Sequence, residues 1–277
     1  MWRGRVARRA ALHVVVALGA LAILSPLLWA LGASLKPQPE AYSPALWPFH
    51  PTLGNFIALF SQPGAPMGRW LFNSLFVAGL EGLLVLALCV PAAYGYARLE
   101  FRGRNLLFAI LLGALLLPDI IFLVPNFLII QQLGLIDNDA AVLLPGLGSA
   151  FGAFGIFFLR QFFLGVPAEV EEAMLIDGAN RWRIVWSLVV PLSKGALATL
   201  FVLTFLHSWN DYTWPNVVLT STDNLTLPLG LSQSLGAYGS TGVVMAAAVV
   251  ASVPVIVIFV ALQRFIIQSV ASAALKG

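Results

Sequence analysis

Apolar residues run in long blocks along this chain, and the polar positions that interrupt them come in short clusters. Six blocks stand out, at residues 12–33, 73–97, 106–130, 140–159, 195–219 and 242–262. Each is about as long as the ~20 residues a helix needs to cross a hydrocarbon layer of about 30 Å. None shows the ten-residue alternation of a membrane β-barrel. The pattern predicts an all-α, polytopic membrane protein with six transmembrane helices. The fifth block is the weakest, because its far end carries His207, Asn210 and Asp211. The segment MWRGRVARRA before the first block has the charge of a signal peptide. That block is nonetheless long enough to span and lacks a small-residue cleavage pattern, so it reads as a retained helix.

Composition agrees: 60% of residues are hydrophobic and 10% charged, whereas soluble domains carry about 25% charged residues. The placement of the charges adds a direction. If the chain threads six times, Arg3, Arg5, Arg8, Arg9, Arg98, Arg102, Arg104, Arg160, Arg181, Arg183, Lys194, Arg264 and Lys276 share one side. Only Lys36 and Arg69 fall on the other. This asymmetry predicts an even number of spans with both termini cytoplasmic. It also makes residues 160–194 a long cytoplasmic loop. Outside lie a Pro-rich loop at 36–70, a short turn at 137–139 and the segment 211–241. No internal repeat or second domain is evident, so residues 1–277 read as one transmembrane domain. The net charge of +3 is spread along membrane flanks rather than gathered in a patch, which argues against nucleic acid. Cys89 is the sole cysteine, so no intrachain disulfide can form.

Several chemistries are excluded. None of Lys36, Lys194 and Lys276 is followed by Ser or Thr, so no phosphate-cradling loop of the Walker type exists. The histidines His13, His50 and His207 are far apart, with no metal-ligand spacing. No Gly-x-Ser-x-Gly nucleophile turn occurs. The small pairs Gly148/Gly152 and Gly146/Ala150 predict close helix packing.

The cytoplasmic loop carries the most specific signal. Pro167 suits a first helical turn, and Glu169, Glu171 and Glu172 complement the positive end of a helix dipole. Val170, Ala173 and Ile176 or Asp177 recur at helical spacing. Gly178 can end that helix in a left-handed conformation, and Asn180 can cap a second one carrying Trp182, Val185, Trp186 and Val189, closed by Pro191. Three glutamates at the start of such an elbow would be repelled by anionic headgroups, so a protein socket suits it better than a membrane surface.

Here the sequence resembles a known family. Glu172, Ala173 and Met174, then Gly178, then Leu188, Val190 and Pro191 match the Glu-Ala-Ala, Gly, Ile-x-Leu-Pro spacing of ABC-importer permeases, with conservative departures at 174, 188 and 190. FGIFFLRQFFLGVPAEVEEAMLIDGA, FLHSWNDYTWP, TLPLGL and the terminal LQRFI and ALKG are similar, in order, to carbohydrate-importer permeases of the maltose type. The resemblance implies a six-helix half of a permease heterodimer in a bacterial or archaeal cell membrane. It also implies a homologous second permease, two copies of an ATPase subunit and an extracytoplasmic solute-binding protein. The chain itself would bind no cofactor, ATP and Mg belonging to the ATPase. Glu172, Ala173, Asp177, Gly178, Ala179 and Pro191 would then form the coupling elbow that docks on that ATPase.

Glu81 and Asp119 are carboxylates inside predicted spans, which marks them as functional candidates. At a rise of about 1.5 Å per residue they share an outer depth with His207, Asn210 and Asp211. These five are expected to line a water-filled substrate path, with Trp209, Tyr212 and Trp214 offering faces on which a sugar could stack. A second reading makes Glu81 and Asp119 the proton carriers of a secondary transporter, which leaves the acidic elbow unexplained. Pro91, Pro118 and Pro125 are expected to kink their helices.

Overall fold

The computed structural model describes residues 2–40, 43–234, 236 and 240–274, and the side chains of all of these except 2–11, 39, 150 and 266–274. Every regular element among the described residues is helical. Packing divides the chain into two units, Met1–Met67 with Leu231–Val253 and Gly68–Gly230 with Pro254–Gly277.

In the first unit, α1 (Trp2–Ser34) exposes apolar side chains such as Val15, Val16 and Ile23 over its middle turns, as a lipid-facing helix should. Its C-terminal carbonyls need partners once buried. Buried Asn55, on α2 (Gly54–Ser61), supplies them: its amide donates to the carbonyls of Ser34 and Lys36, both at 2.8 Å. Lys36 is itself buried, its ammonium on the Ser43 carbonyl at 2.7 Å. The Pro-rich segment thus contains a helix that hydropathy alone did not predict.

The second unit begins on α3 (Met67–Arg98), which runs unbroken through Pro91. There follow α4 (Arg104–Ala114), a tight turn at Asp119–Phe122, α5 (Leu123–Gln132), α6 (Asp139–Gly148) and α7 (Ala150–Leu164). After α8 (Ala168–Ile176) comes α9 (Arg181–Ile184), which widens into a π-helical turn at Val185–Val189 and continues as α10 (Val190–Leu192). Then come α11 (Lys194–Asn210) and α12 (Thr213–Val218); α13 (Leu227–Ser234) and α14 (Thr241–Ala274) each have residues in both units, the stretch Leu231–Val253 belonging to the first.

Three helical stretches are long and apolar enough to cross a membrane alone: Leu12–Ser34, Met67–Arg98 and Thr241–Phe265. Six crossings result only if each of three bent pairs counts as one. The predicted span 106–130 turns by 95° between α4 and α5. Pro118 explains the place: it lacks an N–H and disfavours helical geometry at Leu117, so α4 ends in tight turns before it. The span 140–159 breaks at Ser149, whose backbone is extended while its hydroxyl donates to the Gly146 carbonyl and accepts from the Phe151 amide. The small pairs 146/150 and 148/152 therefore straddle a break rather than share a helix face. The span 195–219 stops at Asn210, and α11 meets the preceding helix at 82° around buried Ser193.

Where α3, α7, α9, the π turn and α11 meet, Val85, Tyr94, Phe163, Ile184, Val189 and Leu200 form a buried core. Ala179 belongs to this core, and Met174 and Leu175 pack against it, so the elbow formed by residues 167–192 is seated on it.

Candidate functional site: an acidic elbow and a polar cavity

The elbow is built from two short helices. Helix α8 ends in a paired closure in which the Ala179 amide reaches the Met174 carbonyl at 2.9 Å and the Gly178 amide reaches Leu175 at 3.0 Å. That closure needs a left-handed residue, and Gly178 supplies it at φ +80°. Asn180 then caps α9, its side-chain oxygen accepting from the Arg183 amide at 2.8 Å. Pro191 does not close the second helix but lies inside it. The wide turn just before it provides for a residue that cannot donate to the helix ladder.

The spacing identifies an apolar stripe on α8 but not the direction in which it faces. Glu171, with Met174 and Leu175, points inward, while Val170, Ala173 and Ile176 face out, Ile176 at 86% exposure. Glu172, Asp177 and Gly178 are also exposed, as is Pro191. Ala179 is buried in the core beneath the elbow, so its small side chain serves packing within this chain. An apolar stripe flanked by two carboxylates is thus left open to a partner.

Glu171 stands in the first turn of α8, as the run of acids suggests, and it is also the anchor of the elbow. It is 4% exposed and paired with Arg98, with Nε and Oε1 at 2.8 Å. The Tyr94 hydroxyl donates to its other oxygen at 3.2 Å. Arg98 also donates to the carbonyls of Phe163 at 2.8 Å and of Val166, at the end of α7 and just before α8. The end of α3 thereby fixes where the elbow starts. No local spacing could reveal this, since Arg98 and Glu171 lie far apart along the chain.

The second feature is a cavity of about 820 Å³ within the second unit. Glu81, Asp119, His207 and Asp211 all line it, so four of the five predicted pathway residues converge. Asn210 does not; its amide turns back onto the Leu206 carbonyl at 2.7 Å. Of the three aromatic candidates, Trp209 is buried against Phe205 and only Trp214 lines the cavity, held by its indole N–H on the Ala141 carbonyl at 2.9 Å. His207 stacks on Phe151 with centroids 4.6 Å apart. Glu81 is 4% exposed and lies against Gly146, where a Cβ would collide with its carboxyl oxygen. Gly146 is thus required by a close approach to a side chain, not to another helix. Asn126, Ser149, Ser208 and Thr213 add polar groups to the lining. Asn126 and Ser149, polar residues in otherwise apolar blocks, were the signals to follow. Among the described residues no cluster with metal-ligating geometry occurs.

Asp137 clamps the segment at 220–224. Its carboxylate accepts the amides of Thr220 and Ser221, both at 2.9 Å, and the Ser221 hydroxyl. Burial works to raise its pKa, but these bonds and Asn224 outweigh it and hold the carboxyl at about 2. A depressed folded-state pKa stabilises above the ordinary carboxylate value and is lost only as pH falls through about 2. Hydrogen exchange of the Thr220 and Ser221 amides is therefore expected to stay flat from pH 8 to about pH 4 after correction for intrinsic rates. Asp137→Asn, which keeps the residue's tolerance of φ +63°, is expected to raise that exchange at neutral pH.

The family described as binding-protein-dependent transport system inner membrane component matches residues 86–272. The chain is similar to the arabinooligosaccharides transport system permease protein AraQ of Halalkalibacterium halodurans, at 34% identity over 257 residues covering 91% of each chain. It is similar to the trehalose/maltose transport system permease protein MalG of Thermococcus litoralis, at 28% identity over 277 residues covering 99% of each. Among solved structures it is similar to a chain of a bacterial ABC transporter involved in the import of the acidic polysaccharide alginate. That match has a TM-score of 0.77 and 26% identity, and covers 95% of this chain and 97% of that one.

Proposed function

This chain belongs to the family of binding-protein-dependent transport system inner membrane components, and from that premise we propose how it works as the permease half of an ATP-driven sugar importer. It is an integral membrane subunit of an importer for a sugar or oligosaccharide delivered by an extracytoplasmic binding protein. It pairs with a second, homologous permease. The observation that carries the mechanism is the elbow: an exposed stripe of Val170, Ala173 and Ile176 beside Glu172, Asp177 and Gly178, seated on a rigid core. Unpartnered apolar surface at the tip of a fixed support is what a moving partner needs to push on.

In this reading the partner is an ATPase, two copies of which hold ATP and Mg, while this chain binds no nucleotide and catalyses nothing. Both termini face the cytoplasm, supported by the thirteen-to-two distribution of basic residues. Closure of the ATPase pair displaces the elbow. The Arg98–Glu171 pair carries that displacement into α3, whose Glu81 faces the cavity. The breaks at Pro118 and Ser149 supply places where the cavity walls can tilt separately. Nothing in the comparisons supports a proton-driven mechanism through Glu81 and Asp119.

The test is reconstitution of the importer, with the partners that co-purify with this chain, into lipid vesicles. Sugar uptake is expected to require ATP and the loaded binding protein and to survive collapse of the proton gradient. Uptake by this chain alone, driven by a proton gradient, would overturn the assignment.

A further inference from the structure

The charged residues lining the cavity are Glu81, Asp119, His207 and Asp211, and none of the described lining residues is Arg or Lys. Asp211 lies within electrostatic reach of Glu81, of Asp119 and of His207. Three carboxyl groups and one imidazole are thus the titratable groups of the lining, which holds no Arg or Lys to supply a fixed positive charge. The rest is apolar or neutral hydrogen-bonding surface, with Asn126 and Thr213 among the latter and Trp214 held rigid. An anion entering such a space loses its water and meets acidic side chains with no Arg or Lys to pair with, and repulsion between like charges grows as the local dielectric falls. A sugar hydroxyl instead donates to a carboxylate, and an ammonium group is attracted to it.

We infer that this half of the translocation cavity selects against acidic and phosphorylated sugars and passes neutral or basic ones. The inference rests on the permease reading and adds a substrate class to the same cavity. It sets this chain apart from the solved importer whose polysaccharide is acidic: a shared fold does not carry over the polarity of a path, which is decided by the side chains that line it.

The cavity potential can be measured without knowing the sugar. Cys89 is the sole cysteine, so a Cys89→Ser background accepts single reporters at Asn126→Cys or Thr213→Cys, both in the lining. Each is placed in the assembled, reconstituted importer and treated with a cationic and an anionic methanethiosulfonate. Relative to a small free thiol, the cationic reagent is expected to be favoured by about tenfold or more at both positions, as charged clefts concentrate counter-ions by such factors. Asp119→Asn with Asp211→Asn is expected to bring the ratio back toward the free-thiol value. A ratio at or below the free-thiol value at both positions overturns the inference, as does failure of the cationic reagent to reach either cysteine. Competition adds a second readout: a neutral or amino-sugar oligosaccharide is expected to inhibit uptake, and a uronic-acid oligosaccharide of equal length is not. If ATP-driven uptake is present but the ratio is not cation-favouring, only the charge assignment falls. If no ATPase associates, the permease reading falls instead.

Discussion

Replacing Gly178 by aspartate is expected to leave the chain folded and membrane-inserted while its affinity for the ATPase partner drops by roughly 30-fold, with uptake falling alongside. The expectation follows from what surrounds the residue. Gly178 sits at φ +80°, a conformation that aspartate tolerates better than most residues. A Cβ there meets nothing within 4 Å in this chain, so the substitution costs about 1 kcal/mol or less locally. Its new carboxylate stands beside Asp177 and Glu172 on the face left for the partner. A contact at the centre of a small docking surface is worth about 2 kcal/mol or more, which is the source of the 30-fold figure. Membrane yield and thermal inactivation measure the fold; co-purified ATPase and uptake measure the docking. Normal uptake by the Gly178→Asp variant would remove the elbow from the coupling mechanism.

The second large effect is internal. Glu171→Ala is expected to destabilise the second unit by about 3 kcal/mol, because it leaves the Arg98 guanidinium buried without its counter-charge. Arg98→Met should cost at least as much, since two carbonyls at the end of α7 and before α8 lose their donor as well. The double variant with Arg98→Met and Glu171→Leu is expected to recover a good part of the loss from the Glu171 change, as apolar replacement of a buried pair often does. Thermal inactivation of the purified complex reads the ordering. Uptake need not recover, because the double variant restores packing without restoring the hydrogen bonds that set the elbow. Equal stability of wild type and Glu171→Ala would show the pair to be incidental.

These two residues show how unevenly the site was legible. Gly178 was visible because its requirement is local: a left-handed residue between an acidic helix start and an Asn cap can be recognised from adjacent letters. Glu171 was visible as an acid but not as an anchor, since its partners, Tyr94 and Arg98, come from a helix distant in the chain. The orientation of α8 is not legible in the sequence for the same reason. Spacing of Val170, Ala173 and Ile176 identifies an apolar stripe but not which side of the helix meets the core, and here an ion pair decides it. In the cavity, depth along each block brought Glu81, Asp119, His207 and Asp211 to one level. Only the packed structure separates Asn210, which is bonded to its own helix, from the four that share a wall.

By itself the sequence determined that the chain is helical, that it lies in a membrane, which loops carry the positive charge, and that an elbow with its bend at Gly178 lies between residues 167 and 192. Each of these follows from interactions between near neighbours or between a residue and its solvent, and such interactions are written in consecutive letters. The tertiary structure alone decided that block 140–159 breaks at Ser149 and that block 195–219 stops at Asn210, that the elbow shows Ile176 and hides Glu171, and that the acids of separate helices meet around one cavity. Hydropathy carries no direction, so an apolar block that breaks at Ser149 looks the same as one that crosses. Pairings such as that of Arg98 with Glu171 are settled by packing across the bundle, where the cost of leaving either charge alone exceeds any local preference.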